Sequence, residues 1–144
     1  MPITYVINLA RSRGRRRTVT QALRRAGVPF ELVPAVDGAT LPAELVARAI
    51  EPGRFYRASA AAVACALSHR DVRRAVAARG EPVAVVIEDD CLPAAGFAAT
   101  VRDIAGVVDG RTVVLKSGQS YQVADGDLAH RSRTAGGAKL FIVD

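Results

Sequence analysis

Apolar positions along the chain fall into two kinds of pattern, and the difference between them sorts the elements. Ile3 to Leu9 (ITYVINL) and Pro82 to Ile87 (PVAVVI) are short, nearly unbroken and rich in β-formers, as expected of strands buried on both faces of a parallel sheet. Between them the period lengthens. Val19, Leu23 and Ala26 stand at i, i+4 and i+7, with Ser12 placed to cap a helix and Gly27 placed to end it. From Ala58 to Arg79 the chain is built of strong helix formers without Gly or Pro, until Gly80 and Pro82 stop it. Phe30 to Val36 (FELVPAV) reads as a strand whose proline argues for a bulge or an edge position, and Asp37-Gly38 as a turn. Residues 42–50 and 95–108 read as helices and Thr112 to Leu115 as a strand. The Gly-, Asp- and Ser-rich stretch 117–137 reads as loop or hairpin, and Leu140 to Val143 is a last apolar run.

Strands alternating with helices predict an α/β domain with a mostly parallel sheet flanked by helices, and no linker or repeat divides residues 1–144. In such sheets ligands bind outside the carboxyl ends of the strands. That rule collects Asn8 to Arg11, Asp37-Gly38 and Glu88 to Asp90 at one edge.

Charge sharpens the picture of the ligand. The net charge is +6, and eighteen of the 20 basic residues are arginine. Such a balance favours anionic partners: nucleic acid, a phosphate-bearing substrate or an anionic membrane surface. It equally suits an Ala- and Arg-rich composition with no ligand behind it. Aromatics make up 5% of the chain and do not alternate with basic residues, which argues against nucleic acid. No apolar stretch approaches the roughly 18 residues of a membrane span, and the first residues lack the flank and cleavage site of a signal peptide, so a cytoplasmic protein is expected. Cys65 and Cys91 are too few for a disulfide scaffold and lack metal-motif spacing.

Three groups of residues carry candidate chemistry. Glu88, Asp89 and Asp90 close a buried strand, where three carboxylates repel one another and invite a cation. If the strand persists, Glu88 and Asp90 share a face and could hold Mg²⁺ or Mn²⁺ together with phosphate oxygens and water. A solvated acidic turn is the other reading. Arg11, Arg13, Arg15, Arg16 and Arg17 crowd the start of the first helix, where cations oppose the helix dipole. A bound phosphate would explain them, as would a solvated basic face. Cys65, Ser68 and His69 share one helix face, above Val72 and Val76. Ser68 and His69 lack the geometry of a hydrolase, His69 is expected to be partly buried, and Cys65 is expected to belong to the core.

Taken in order, VINL at 6–9 with Arg11-Ser12 and Arg15-Arg16, PFE and PAVDG ending at Gly38, Cys65-Ala66-Leu67-Ser68-His69, and VVIEDD ending at Asp90 resemble glycosyltransferase family 25. That family comprises lipopolysaccharide and lipooligosaccharide glycosyltransferases and includes the collagen galactosyltransferases. The resemblance implies a GT-A-like, Rossmann-type fold, a UDP-sugar donor such as UDP-galactose, Mn²⁺ or Mg²⁺, and inverting transfer to a saccharide or glycolipid acceptor. By the same resemblance Asn8, Leu9, Arg11, Arg15, Asp37, Gly38 and Ser68 are donor-binding positions. Glu88 and Asp90 are the metal positions, and Asp89, Asp90 and His69 the catalytic ones. The protein would work in the cytoplasm, with peripheral contact at the anionic inner membrane. Two residues depart from the family pattern: Ala10 stands where Asp is usual, and Ala64 where Gly is usual. The family domain also normally runs past the equivalent of Asp144, so the fold is expected to be C-terminally incomplete, with acceptor elements and the general base beyond it. A shortened relative that binds nucleotide without turnover is the alternative, and a basic nucleic-acid or lipid module a third.

Overall fold

The computed structural model describes residues 1–49, 59–105, 113–116, 119–122 and 139–143. In chain order the elements are β1 (Thr4–Asn8), α1 (Arg13–Arg25), β2 (Phe30–Pro34), a 3-10 turn (Gly38–Thr40), α2 (Ala43–Ala49), α3 (Ala60–Ala78), β3 (Ala84–Glu88), α4 (Phe97–Ala105), β4 (Val113–Lys116), β5 (Gln119–Gln122) and β6 (Lys139–Val143). One six-stranded sheet runs β2-β1-β3-β6-β4-β5.

The unbroken apolar character of β1 and β3 follows from their position. Both lie inside the sheet with helices on each face, so every residue of β1 and the first four of β3 are buried. Side-chain alternation divides them between two cores. Val6, Val85 and Ile87 pack with Val19 and Leu23 of α1 and Val101 of α4. Tyr5, Ile7, Ala84 and Val86 pack with Val72 and Val76 of α3. Each Val, Leu or Ile side chain among them, fully buried, stabilises the fold by about 1.5–3 kcal/mol before entropy is counted.

β2 is an edge strand, and this explains its proline: Pro34 offers no N–H, and an edge needs none on its outer side. Gly27 and Gly80 follow α1 and α3 with φ of 64°, the left-handed turn that ends both helices. At the start of α1, Ser12 occupies the capping position, but its hydroxyl caps no backbone N–H and instead accepts from Arg15 at 3.0 Å.

The sheet departs from the expected mostly parallel arrangement. Strands β2, β1 and β3 are parallel, while β6 enters antiparallel between β3 and β4, and β5 returns antiparallel beside β4. Apolar runs look alike in either direction, so the pattern of β6 did not distinguish them. Nor is β6 an uncovered edge, because it is paired on both sides. Of the stretch 117–137, residues 119–122 form β5 and hairpin with β4; the rest lies outside the described residues. No helix among the described residues is long and apolar enough to cross a membrane.

Candidate active site

The three parallel strands end together. Asn8 is in register with Pro34, and Ile7 with Glu88, so the loops after β1, β2 and β3 leave from one edge. They enclose a cleft of about 450 Å³ against the first turns of α3. Leu9, Arg11, Arg15, Asp37, Gly38, Ser68, Glu88 and Asp89 all line it, so most of the donor and acidic positions expected from the sequence are brought together. Asn8, His69 and Asp90 are not among the described lining residues.

The acidic cluster is divided three ways. β3 ends at Glu88, so strand alternation stops there and does not carry Asp90 to the same face. Glu88 follows Ala84 and Val86 toward α3, where His69 Nε2 lies 3.4 Å and the Cys65 thiol 3.5 Å from its Oε1. Asp89 turns the other way and is buried at 6% exposure. Its Oδ2 accepts from Asn8 Nδ2 at 2.6 Å, and Arg15 lies 3.3 Å from its Oδ1. Asp90 is exposed, with its carboxylate 3.9 Å from Arg15. A buried carboxylate is tolerated only when its oxygens are engaged, and Asn8 and Arg15 meet that need for Asp89.

Asn8 therefore works as a structural link rather than pointing at open space. It also donates to the Ser12 carbonyl at 3.3 Å, joining the end of β1, the start of α1 and the turn after β3. Backbone bonds run alongside, from Asp89 N to Ile7 O and from Ala35 N to Asn8 O. Of the five clustered arginines, Arg11 and Arg15 line the cleft, while Arg13, Arg16 and Arg17 are exposed on α1. Arg11 pairs with Asp37 across the mouth of the cleft.

Ser68 is buried, and its hydroxyl is fully used. It donates to the Ala64 carbonyl at 2.8 Å and accepts from the Val36 N–H at 2.9 Å, which pins the loop after β2 onto α3. Beyond that pin, Asp37 caps the 3-10 turn by accepting from Ala39 N–H. Gly38 lies so close to α3 that an added Cβ would meet the Ala60 backbone at 2.8–2.9 Å. Ser68 and Gly38 thus shape the cleft wall. The sequence marked both positions without showing that Ser68 holds the Val36 N–H or that Gly38 meets α3 backbone.

One residue of the site was not foreseen. Cys65, expected in the core, lines the cleft next to Glu88; counting β3 residues by twos from Ala84 would have placed Glu88 on the α3 side. Cys91 is instead part of the core under α1 and α4, where burial first and then Asp90 and Glu88 push its thiol up to about 11.

Fold and cleft together define an α/β protein that gathers cations and carboxylates at the carboxyl ends of its parallel strands. The profile of glycosyltransferase family 25, described as a lipopolysaccharide biosynthesis protein, matches residues 1–130, and the chain belongs to that family. It is thereby a glycosyltransferase of lipopolysaccharide biosynthesis, with a sugar donor and a saccharide acceptor. No curated protein matches the chain.

Proposed function

We propose that the protein transfers a sugar, galactose foremost, from a UDP-sugar to a lipopolysaccharide or related surface saccharide, with inversion at the anomeric carbon and with a divalent metal. The reading takes the parallel half of the sheet as the nucleotide-binding half of a GT-A type fold. The observation that carries it is the placement of Arg11 and Arg15 beside the carboxylate turn, in one strand-end cleft of a chain from a glycosyltransferase family.

In this reading Arg15 donates to the diphosphate. Its guanidinium already lies between Ser12 Oγ and Asp89 Oδ1, so it is aimed before the donor arrives and loses little freedom on binding. Arg11, now paired with Asp37, would exchange that exposed partner for a phosphate oxygen. Asp37 and Gly38 would bound the nucleoside end. Asp89, held by Asn8 and Arg15, keeps the turn in place rather than moving a proton.

The donor set suits a hard cation in kind. Asp90 presents an exposed carboxylate, and Mg²⁺-type ions take one or two carboxylates with substrate phosphates and waters. Asp90 is the first ligand in this reading, with Glu88 a second only if its side chain leaves α3. When bound, the metal would neutralise the diphosphate leaving group. The reaction would proceed in the cytoplasm, with exposed Arg13, Arg16 and Arg17 on α1 as the face for an anionic inner-membrane surface.

Calorimetry with UDP-galactose in Mn²⁺ tests the reading on wild type, Arg15→Ala and Asp90→Ala. Arg15→Ala should weaken binding about ten- to hundredfold, the value of a hydrogen bond to a charged group. Asp90→Ala should remove the dependence on Mn²⁺. Equal binding by all three proteins, or none by the wild type, would sink the assignment.

A further inference from the structure

α3 and β3 bring a second, chemically different set of donors together. Ser59 caps α3 by accepting from Ala62 N–H, and the helix then runs unbroken for 19 residues. Cys65 and His69, four apart, therefore project from the same face one turn from each other. Glu88, last residue of β3, meets them from the sheet. Cys65 Sγ, His69 Nε2 and Glu88 Oε1 all lie within 4.8 Å of one another. Two of those separations are 3.5 Å, sulfur to oxygen, and 3.4 Å, nitrogen to oxygen.

The two separations to Glu88 match those of a tetrahedral zinc site, and the third, Cys65 Sγ to His69 Nε2, is within 4.8 Å. Zinc–ligand bonds of about 2.3 Å to sulfur and about 2.0–2.2 Å to nitrogen and oxygen put neighbouring ligand atoms about 3.3–3.6 Å apart. A zinc ion could enter with side-chain adjustment alone. A sulfur, nitrogen and oxygen set also selects against Mg²⁺ and Mn²⁺, which prefer oxygen throughout. Cys65 and Glu88 line the cleft, so a fourth position could open toward it, and three protein ligands with one open position is the arrangement of a reactive or exchangeable zinc.

We propose that Cys65, His69 and Glu88 form a binding site for one Zn²⁺ ion on the α3 wall of the cleft, separate from the hard-cation position at Asp90. On binding, the Cys65 S–H bond breaks, sulfur bonds to the metal and the proton leaves to solvent; no oxidation state changes. The ion ties α3 to the end of β3 and keeps Glu88 turned away from Asp90. The proposal concerns metal binding alone and does not depend on the sugar-transfer reading.

The test uses the metal-free 144-residue chain, titrated with Co²⁺ as a spectroscopic stand-in and then with Zn²⁺. A single equivalent of Co²⁺ should give tetrahedral visible bands and a thiolate-to-cobalt charge-transfer band in the near ultraviolet, both erased by one equivalent of Zn²⁺. Cys65→Ala should lose the charge-transfer band, and His69→Ala should weaken Zn²⁺ at least about ten- to hundredfold, the cost seen even for outer-shell changes. Cys91→Ala and Asp90→Ala should bind Zn²⁺ as the wild type does. The wild-type spectrum decides the matter even if a variant misfolds: Co²⁺ without a thiolate band overturns the site. Wild-type Zn²⁺ affinity in a folded Cys65→Ala overturns it too, leaving the two contacts to Glu88 as hydrogen bonds.

Discussion

Gly38 shows how tightly the cleft wall is set at the level of single atoms. Its missing Cβ leaves room for the Ala60 carbonyl and Ala61 N–H, all within 2.8–2.9 Å of where that carbon would stand. Backbone in the first turn of a helix cannot swing aside as a flexible side chain can. Gly38→Ala should therefore push the loop off α3, costing about 1–3 kcal/mol as an overpacking change. It should also strain the Ser68 bond to Val36 N–H, two residues upstream. A urea titration would show the midpoint falling at constant slope, with UDP-sugar affinity dropping further than stability alone explains. Unchanged stability and affinity would mean that this approach is looser than the geometry states. The Asp37-Gly38 turn was legible in the sequence. The reason for the glycine was not, because the atom it avoids lies more than twenty residues away.

Among elements, α3 and the three parallel strands cooperate at both ends of the sheet. At the carboxyl end they form the cleft. At the opposite end Arg79, the C-cap of α3, makes two bonds to Glu31 of β2, at 2.7 and 2.9 Å, and one to the Tyr5 hydroxyl at 2.8 Å. Tyr5 in turn donates to Glu81 at 2.6 Å, and its burial, followed by that bond, raises its pKa. Hydrogen bonding from Arg79 lowers the Glu31 pKa below its ordinary 4.5. The folded chain thus binds this proton less readily than the unfolded one, so the pair stabilises above that ordinary value. The contribution disappears as pH falls through the lower folded value. Melting curves from neutral pH to below 4.5 should show a shallower acid loss for Glu31→Gln than for the wild type, by a small margin since the pair is exposed. Parallel curves would remove Glu31 from the acid response. The helices and strands were readable from period and punctuation, since Gly27, Gly80 and Pro82 stand where the elements end. Cross-element pairs such as Asn8 with Asp89 were not, because they depend on register, which no local pattern encodes.

For the whole molecule, the decisive feature is where β6 sits. Strands from the two ends of the chain meet, since β3 takes β1 on one side and β6 on the other. β6 also carries the β4–β5 hairpin, which pairs with β3 only through it. A parallel three-stranded half built from early sequence is thus completed by antiparallel strands built from late sequence. Such long-range closure has to precede most of the sheet pairing that rewards it. The alternation of early strands and helices made the α/β class readable, whereas the order of late strands could not be read from four or five apolar residues. A chain ended at residue 138 tests this arrangement directly. It would keep β1, β2 and β3 with both helical layers but leave the apolar β3 with an unpaired edge, beside a detached hairpin. Unpaired central-type strands template association with other chains. Size-exclusion chromatography should then show larger species than the full chain gives, and thermal unfolding should be broader than that of the full chain. A shortened chain that eluted like the full one and melted as cooperatively at the wild-type temperature would show that β6 does not hold the sheet together, and that the parallel half with its cleft is a self-sufficient unit.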